Sequence, residues 1–208
     1  MLPVEIAPGL MRWTAPHPDW KPDAKPGSSA DWEERVGSVL FAPTDTVALI
    51  DPLLPREDRA SFLARLDEII AGRPVSILTT IRWHSRDRQE LADRYTPSTT
   101  RAWNAVPAGV VPRPLRGAGE TLFWLPSVEA LVAGDRLIGD PALGLRVCPQ
   151  SWLSSVQVDR AGVGRLLRPL IELPIERVLV SHGEPVLRDG RAALARAIAD
   201  AGDDAATG

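Results

Sequence analysis

Residues 76–87 read SILTTIRWHSRD, an apolar run that ends on His84. A continuous apolar run of this length predicts a strand covered on both faces, as in layered α/β proteins. Such strands build a site along one sheet edge when they release a polar side chain at their carboxyl ends. Two further runs repeat the pattern: VEALVAGD (128–135) ends on Asp135 and IERVLVSH (175–182) ends on His182. The chain has only three histidines, and two of them stand at such ends.

Helical patterns flank these strands. Within residues 55–72, Phe62, Leu63, Leu66, Ile69 and Ile70 recur at helical spacing, and Gly72 is placed to end the helix. RQELADRY (88–95), VGRLLRPLIEL (163–173, despite Pro169) and GRAALARAIADA (190–201) predict three more. Strands are expected in VEIAPGLMRW (4–13), with a Pro-Gly turn inside it, and in GSVLFAP (37–43) and TVALIDPLLP (46–55), joined at Thr44–Asp45. Short strands follow in TTRAWNAV (99–106), GETLFWL (119–125), SVEALVAG (127–134) and RLIGD (136–140). Residues 14–35 are rich in Pro, Asp and Ser and read as a long loop, whose Trp20 and Trp32 predict that it docks on the body of the protein. The last residues, 202–208, are expected to fray. Strand and helix alternate in both halves, which predicts a sheet with covered faces within a single domain, 1–208.

Composition narrows the classes. Of 208 residues, 44% are hydrophobic and 25% charged, as in ordinary soluble domains. A net charge of −3 and arginines interspersed with acids argue against a nucleic-acid face. No apolar run reaches the ~18 residues of a membrane span, and no signal segment opens the chain, so a cytoplasmic protein is expected. Cys148 is alone, which excludes an intramolecular disulfide and a cysteine metal site and predicts a buried, inert thiol. No G-x-S-x-G elbow and no phosphate-binding glycine loop is present, and LVAGDRLIGDPALG (131–144) reads as a hairpin.

The order VALIDPLLP (47–55), ILTTIRWHSRD (77–87), LVAGD (131–135), VLVSHGEP (178–185) resembles the metallo-β-lactamase superfamily over about residues 37–190. The resemblance implies an αββα sandwich: two mixed β-sheets face to face, flanked by helices, with a metal site at one edge. Members carry H-x-H-x-D-H after the strand that matches SILTT, then a further ligand His, a bridging Asp in a GD turn and a His in an S-H-G-like turn. Aligned on its single histidine, this chain has Arg82, His84, Arg86 and Asp87 at the four positions of the first motif. A shift of one puts Asp87 on the Asp and Arg88 on the last His, with Trp83 and Ser85 at the first two. The later ligand is expected around Phe123–Ser127, and FWLPS has no histidine. Asp135 and His182 match in place.

Two readings stay open. In one, His84, Asp87, Asp135 and His182 hold a single divalent ion (Zn, Fe or Mn) and Asp135 and His182 take catalytic roles, giving a hydrolase of ester, thioester or lactone type. In the other, most ligands are lost and no metal binds. Arg82 or Arg86 then fills the metal position, and with Trp83 lines a pocket for a small, anionic ligand. Singly, His182 also reads as a strand-end histidine satisfying carbonyls, and Asp135 as a turn former. A small-molecule ligand or substrate is expected in either case, without nucleic acid or membrane, and the aromatic loop is compatible with a homodimer.

Overall fold

Side-chain alternation explains the layering. A computed structural model describes residues 2–43, 45–95 and 106–203. Thr44 in the expected turn, nearly all of the expected strand 99–106 with Trp103, and most of the expected frayed tail lie outside them.

The first sheet runs in chain order: β1 (Val4–Ala7), β2 (Leu10–Pro16), β3 (Arg35–Phe41), β4 (Val47–Ile50) and β5 (Val75–Leu78). Its pairs are antiparallel except β4 with β5, which are parallel. A parallel pair needs a crossover, and α1 (Arg59–Ile70) supplies it. α2 (Arg88–Tyr95) follows and spans the residues that RQELADRY predicts. The second sheet has the order β11 (Arg177–Val180), β8 (Ala130–Ala133), β7 (Glu120–Leu125), β6 (Val111–Leu115), with β11 parallel to β8. A separate hairpin, β9 (Leu137–Asp140) with β10 (Gly144–Val147), comes from the stretch read as one. α3 (Arg160–Leu167) and α4 (Gly190–Asp203) complete the described chain.

Alternate residues of each strand enter different layers. Val39, Phe41, Ala48 and Ile50 meet Phe123, Ala130, Val132 and Leu179 between the two sheets. Leu40, Val47, Leu49 and Ile77 turn outward onto Phe62, Leu66 and Ile70 of α1 and Leu91 of α2. On the opposite outer face, Leu122, Leu131, Val178 and Val180 pack with Val163 and Leu167 of α3 and Leu194 and Ile198 of α4. The result is an αββα sandwich. No described helix is long and apolar enough to cross a membrane.

Two elements depart from the sequence reading. β6 was not expected, because VPRPL carries Pro112 and Pro114. It is an edge strand, where a missing N–H on the open side costs nothing. The third helix divides: α3 starts at Arg160, capped by the Asp159 side chain on the Gly162 amide at 2.6 Å, and stops at Leu167. Pro169 then opens a 3-10 turn, Arg168–Glu172, since its ring cannot continue an α-helix.

The carboxyl ends of β4, β5, β8 and β11 converge on one edge of the sandwich. Backbone bonds close that edge: the Thr121 amide donates to Thr80 O (2.8 Å) and the Gly37 amide to Ser181 O (2.7 Å). Gly37 is required there, because a Cβ would come within 2.5 Å of Val180 O.

Candidate metal centre

At the converged edge, His84 lies in the turn after β5, Asp135 in the turn after β8 and His182 in the turn after β11. All three are buried. One potential ligand atom from each lies within 4.8 Å of the others. Asp135 Oδ1 is 2.9 Å from His84 Nε2 and 3.3 Å from His182 Nε2. Both are ion-pair contacts, and this buried oxygen has no other partner among the described residues. Two imidazole nitrogens and a carboxylate oxygen converging in one buried spot are a donor set suited to a shared cation. The donor set therefore fits one divalent ion.

The surroundings orient the ligands. Asp51, at the end of β4, accepts from the Thr80 amide (2.8 Å) and the Thr80 hydroxyl and lies 2.9 Å from His84 Nδ1. That contact leaves Nε2 facing Asp135, the carboxylate–histidine arrangement that sets ring orientation and ligand basicity in metal sites. Trp83 donates its indole N–H to the other oxygen of Asp135, at 2.5 Å. Burial opposes charge on His84, yet Asp135 and Asp51 outweigh both burial and the Arg86 cation, and its pKa is pushed up to about 9. Burial likewise opposes ionisation of Asp135, but the two imidazoles hold its carboxyl well below the usual range. Asp51→Asn is expected to weaken metal binding about 10- to 100-fold, in line with other outer-shell carboxylates. Zinc titration of the purified variant checks this, and unchanged affinity would remove the orienting role.

A cavity of about 420 Å³ opens over these groups. Its walls include Trp32, Trp83, Trp152, His17 and Arg82. Trp32 and Trp152 pack edge-on against His182, with ring centroids 5.4 and 5.0 Å away. Trp32 belongs to the long loop, which docks as expected: the Trp20 indole donates to Trp32 O at 2.9 Å, and His17 meets the Trp32 ring at 5.1 Å.

Several expected residues sit elsewhere. Asp87 is apart from the cluster. Its Oδ2 accepts from the Leu54 amide (2.6 Å), and Oδ1 faces Arg59 at 3.5 Å. Neither arginine occupies the metal position. Arg86 donates to Gly37 O (2.8 Å) and Asp51 O (2.7 Å), with Ser181 Oγ at 3.4 Å, so it ties the sheets together beside the cluster. Arg82 is exposed at the cavity wall, its guanidinium 5.4 Å from the Trp83 ring centre. Trp124, expected beside a missing ligand, is buried on the α3–α4 side, and Phe123 lies between the sheets.

The sequence reading missed Asp51, Glu120, Trp32 as a wall of the site, and Trp152. Asp51 carried the signal already used, an acid closing an apolar strand. Glu120 was hidden by direction: β7 runs antiparallel to β8, so its amino end, not its carboxyl end, reaches the site. Burial and the neighbouring Asp135 push the Glu120 pKa up to about 7.

Solved structures share this architecture. A metallo-β-lactamase from Erythrobacter litoralis, crystallised with β-mercaptoethanol in its active site, aligns over 97% of this chain and 96% of its own, at 16% identity and a TM-score of 0.60. The chain has the metallo-β-lactamase fold. The mono-zinc form of a metallo-β-lactamase from Pseudomonas aeruginosa aligns over 96% of this chain and 95% of its own (12% identity, TM-score 0.60). A metallo-β-lactamase family protein from Thermus thermophilus aligns over 98% and 81% (16% identity, TM-score 0.54). No protein-family model and no curated protein matches the sequence. At these identities the likeness establishes the fold, and activity has to be argued from the site. Within that fold, His84, Asp135 and His182 form a buried cluster that could hold a metal ion.

Proposed function

We propose that this chain is a hydrolase of small esters, thioesters or lactones that works with one divalent ion held by His84, Asp135 and His182. The observation that carries the reading is the convergence of His84, Asp135 and His182, all buried, with one donor atom of each within 4.8 Å of the others. An ion bound there supplies Lewis acidity, polarising a carbonyl oxygen and acidifying water near neutral pH.

The chain's own residues set the conditions. Asp51 holds the His84 ring so that Nε2 is offered. Trp83 occupies the outer oxygen of Asp135, which restricts that carboxylate to one ligand atom and favours one ion over two. Trp32 and Trp152 pack against the His182 ring, which is buried. Arg82, free of an acid partner among the described residues, offers an anionic part of a substrate a cation at the cavity wall.

A second reading, a metal-free pocket for a small ligand, has one observation in its favour. With His84 pushed up to about 9 and Asp135 ionised, the cluster neutralises itself. Metal analysis of protein purified without chelator separates the two. One equivalent of zinc, iron or manganese, lost in His84→Ala, is expected. Metal-free protein that takes up none on titration would sink the hydrolase and leave the binding pocket.

A further inference from the structure

Glu120 is an acid that the chemistry above does not use. It is only 4% exposed at the start of β7, and none of its oxygens belongs to the ligand cluster. Instead the carboxylate accepts three consecutive backbone amides. Gly134 N donates to Oε1 at 2.9 Å, and Asp135 N and Arg136 N donate to Oε2 at 2.8 and 2.9 Å. Those three residues form the turn that presents Asp135. Three amides converging on one side chain fix a loop, because each bond ties down one of three consecutive residues.

The rest of the turn is fastened to match. Arg136, fully buried, donates from Nε to Ala118 O (2.8 Å) and from Nη1 to Trp152 O (3.0 Å). At Gly134 a Cβ would come within 2.4 Å of Thr80 Oγ1 and 3.2 Å of Glu120 Oε2, so only glycine lets the turn lie this close. The Ile81–Glu120 bridge joins this end of β7 to the chain that leads into His84. Glu120 thus stands where the two ligand-bearing segments meet.

We propose that Glu120 is a positioning residue for the metal centre: by gripping the Gly134–Arg136 amides it sets the Asp135 turn before any ion arrives. The proposal rests on the single-metal reading. A glutamate in this role touches neither ion nor substrate. It acts through the backbone of Asp135, so its loss changes ligand placement rather than ligand number.

Zinc titration and the absorption spectrum of the cobalt-substituted protein test it on the full chain. Glu120→Gln is expected to lower zinc affinity about 10- to 100-fold and to alter the cobalt spectrum. Phe62→Ala, in the layer between α1 and the first sheet, serves as the control. It is expected to lower Tm at least as much while leaving zinc affinity within about twofold, within the ~0.5 kcal/mol to which distant sites act independently. Zinc affinity of Glu120→Gln within twofold of the parent overturns the proposal. Should that variant not fold, amide exchange in the parent decides. Slow exchange at 134–136 with and without zinc supports a preset turn, and protection that appears only with zinc overturns it. A parent chain that binds no zinc removes the single-metal reading and this proposal together, whereas zinc binding untouched by Glu120→Gln removes only the proposal.

Discussion

Asp135→Ala is expected to lower zinc affinity by about 100- to 1000-fold. A four-ligand structural zinc site is worth about 10–16 kcal/mol, so each ligand carries roughly 2.5–4 kcal/mol. At about 1.4 kcal/mol per factor of ten, that is two to three decades. Asp135 is also the only carboxylate in the three-residue cluster, so its loss removes the anion that offsets a divalent charge. The same change acts on the metal-free protein in a distinct way. Without Asp135 the main charge that raises the His84 pKa is gone, and that pKa is expected to fall from about 9. Isothermal titration with zinc and NMR titration of the imidazoles measure the two effects separately. Retained affinity would mean that the ion sits elsewhere.

Arg86→Met is expected to move stability and metal affinity in opposite directions. The guanidinium bonds Gly37 O and Asp51 O at 2.8 and 2.7 Å, and hydrogen bonds from a charged donor are worth about 1.5–3 kcal/mol each. Part of that returns when a cation whose pKa burial has lowered is taken out. A net loss of about 2–3 kcal/mol remains, which lowers Tm by about 5–10 °C in a chain of this size. Arg86 also holds a positive φ of 40°, a backbone conformation that its side-chain bonds help to maintain. Yet Arg86 repels positive charge at His84, so its removal should raise zinc affinity several-fold. Calorimetry and zinc titration of the one variant read both. A fall in zinc affinity would show that the arginine shapes the site rather than opposing the ion.

Much of this architecture was legible in the sequence because apolar runs mark the strands, helical spacing marks α1, and their order resembles one family's. The helix around Phe62–Ile70 followed from spacing, and the polar residues His84, Asp135 and His182 beyond the strands followed from apolar runs that stop at them. Failures came where a long-range fact decides a local one. Pro112 and Pro114 argue against a strand unless that strand is known to lie at a sheet edge. Asp87 looked like a ligand by its place in a motif, but one residue of turn geometry sends its carboxylate to the Leu54 amide. The arginines read as substitutes for the metal, because nothing local says that Arg86 finds the carbonyls of Gly37 and Asp51. Glu120 required knowing that β7 runs against its neighbour.

His84 hangs from the first sheet, whereas Asp135 and His182 hang from the second. Whatever grips all three is a suture across the seam of the sandwich. Parting of the two halves would loosen that grip, so the dissociation rate of a bound ion is expected to act as a clock for the breathing. Substitutions deep between the sheets, at Phe41 or Phe123, should quicken the clock without touching a ligand.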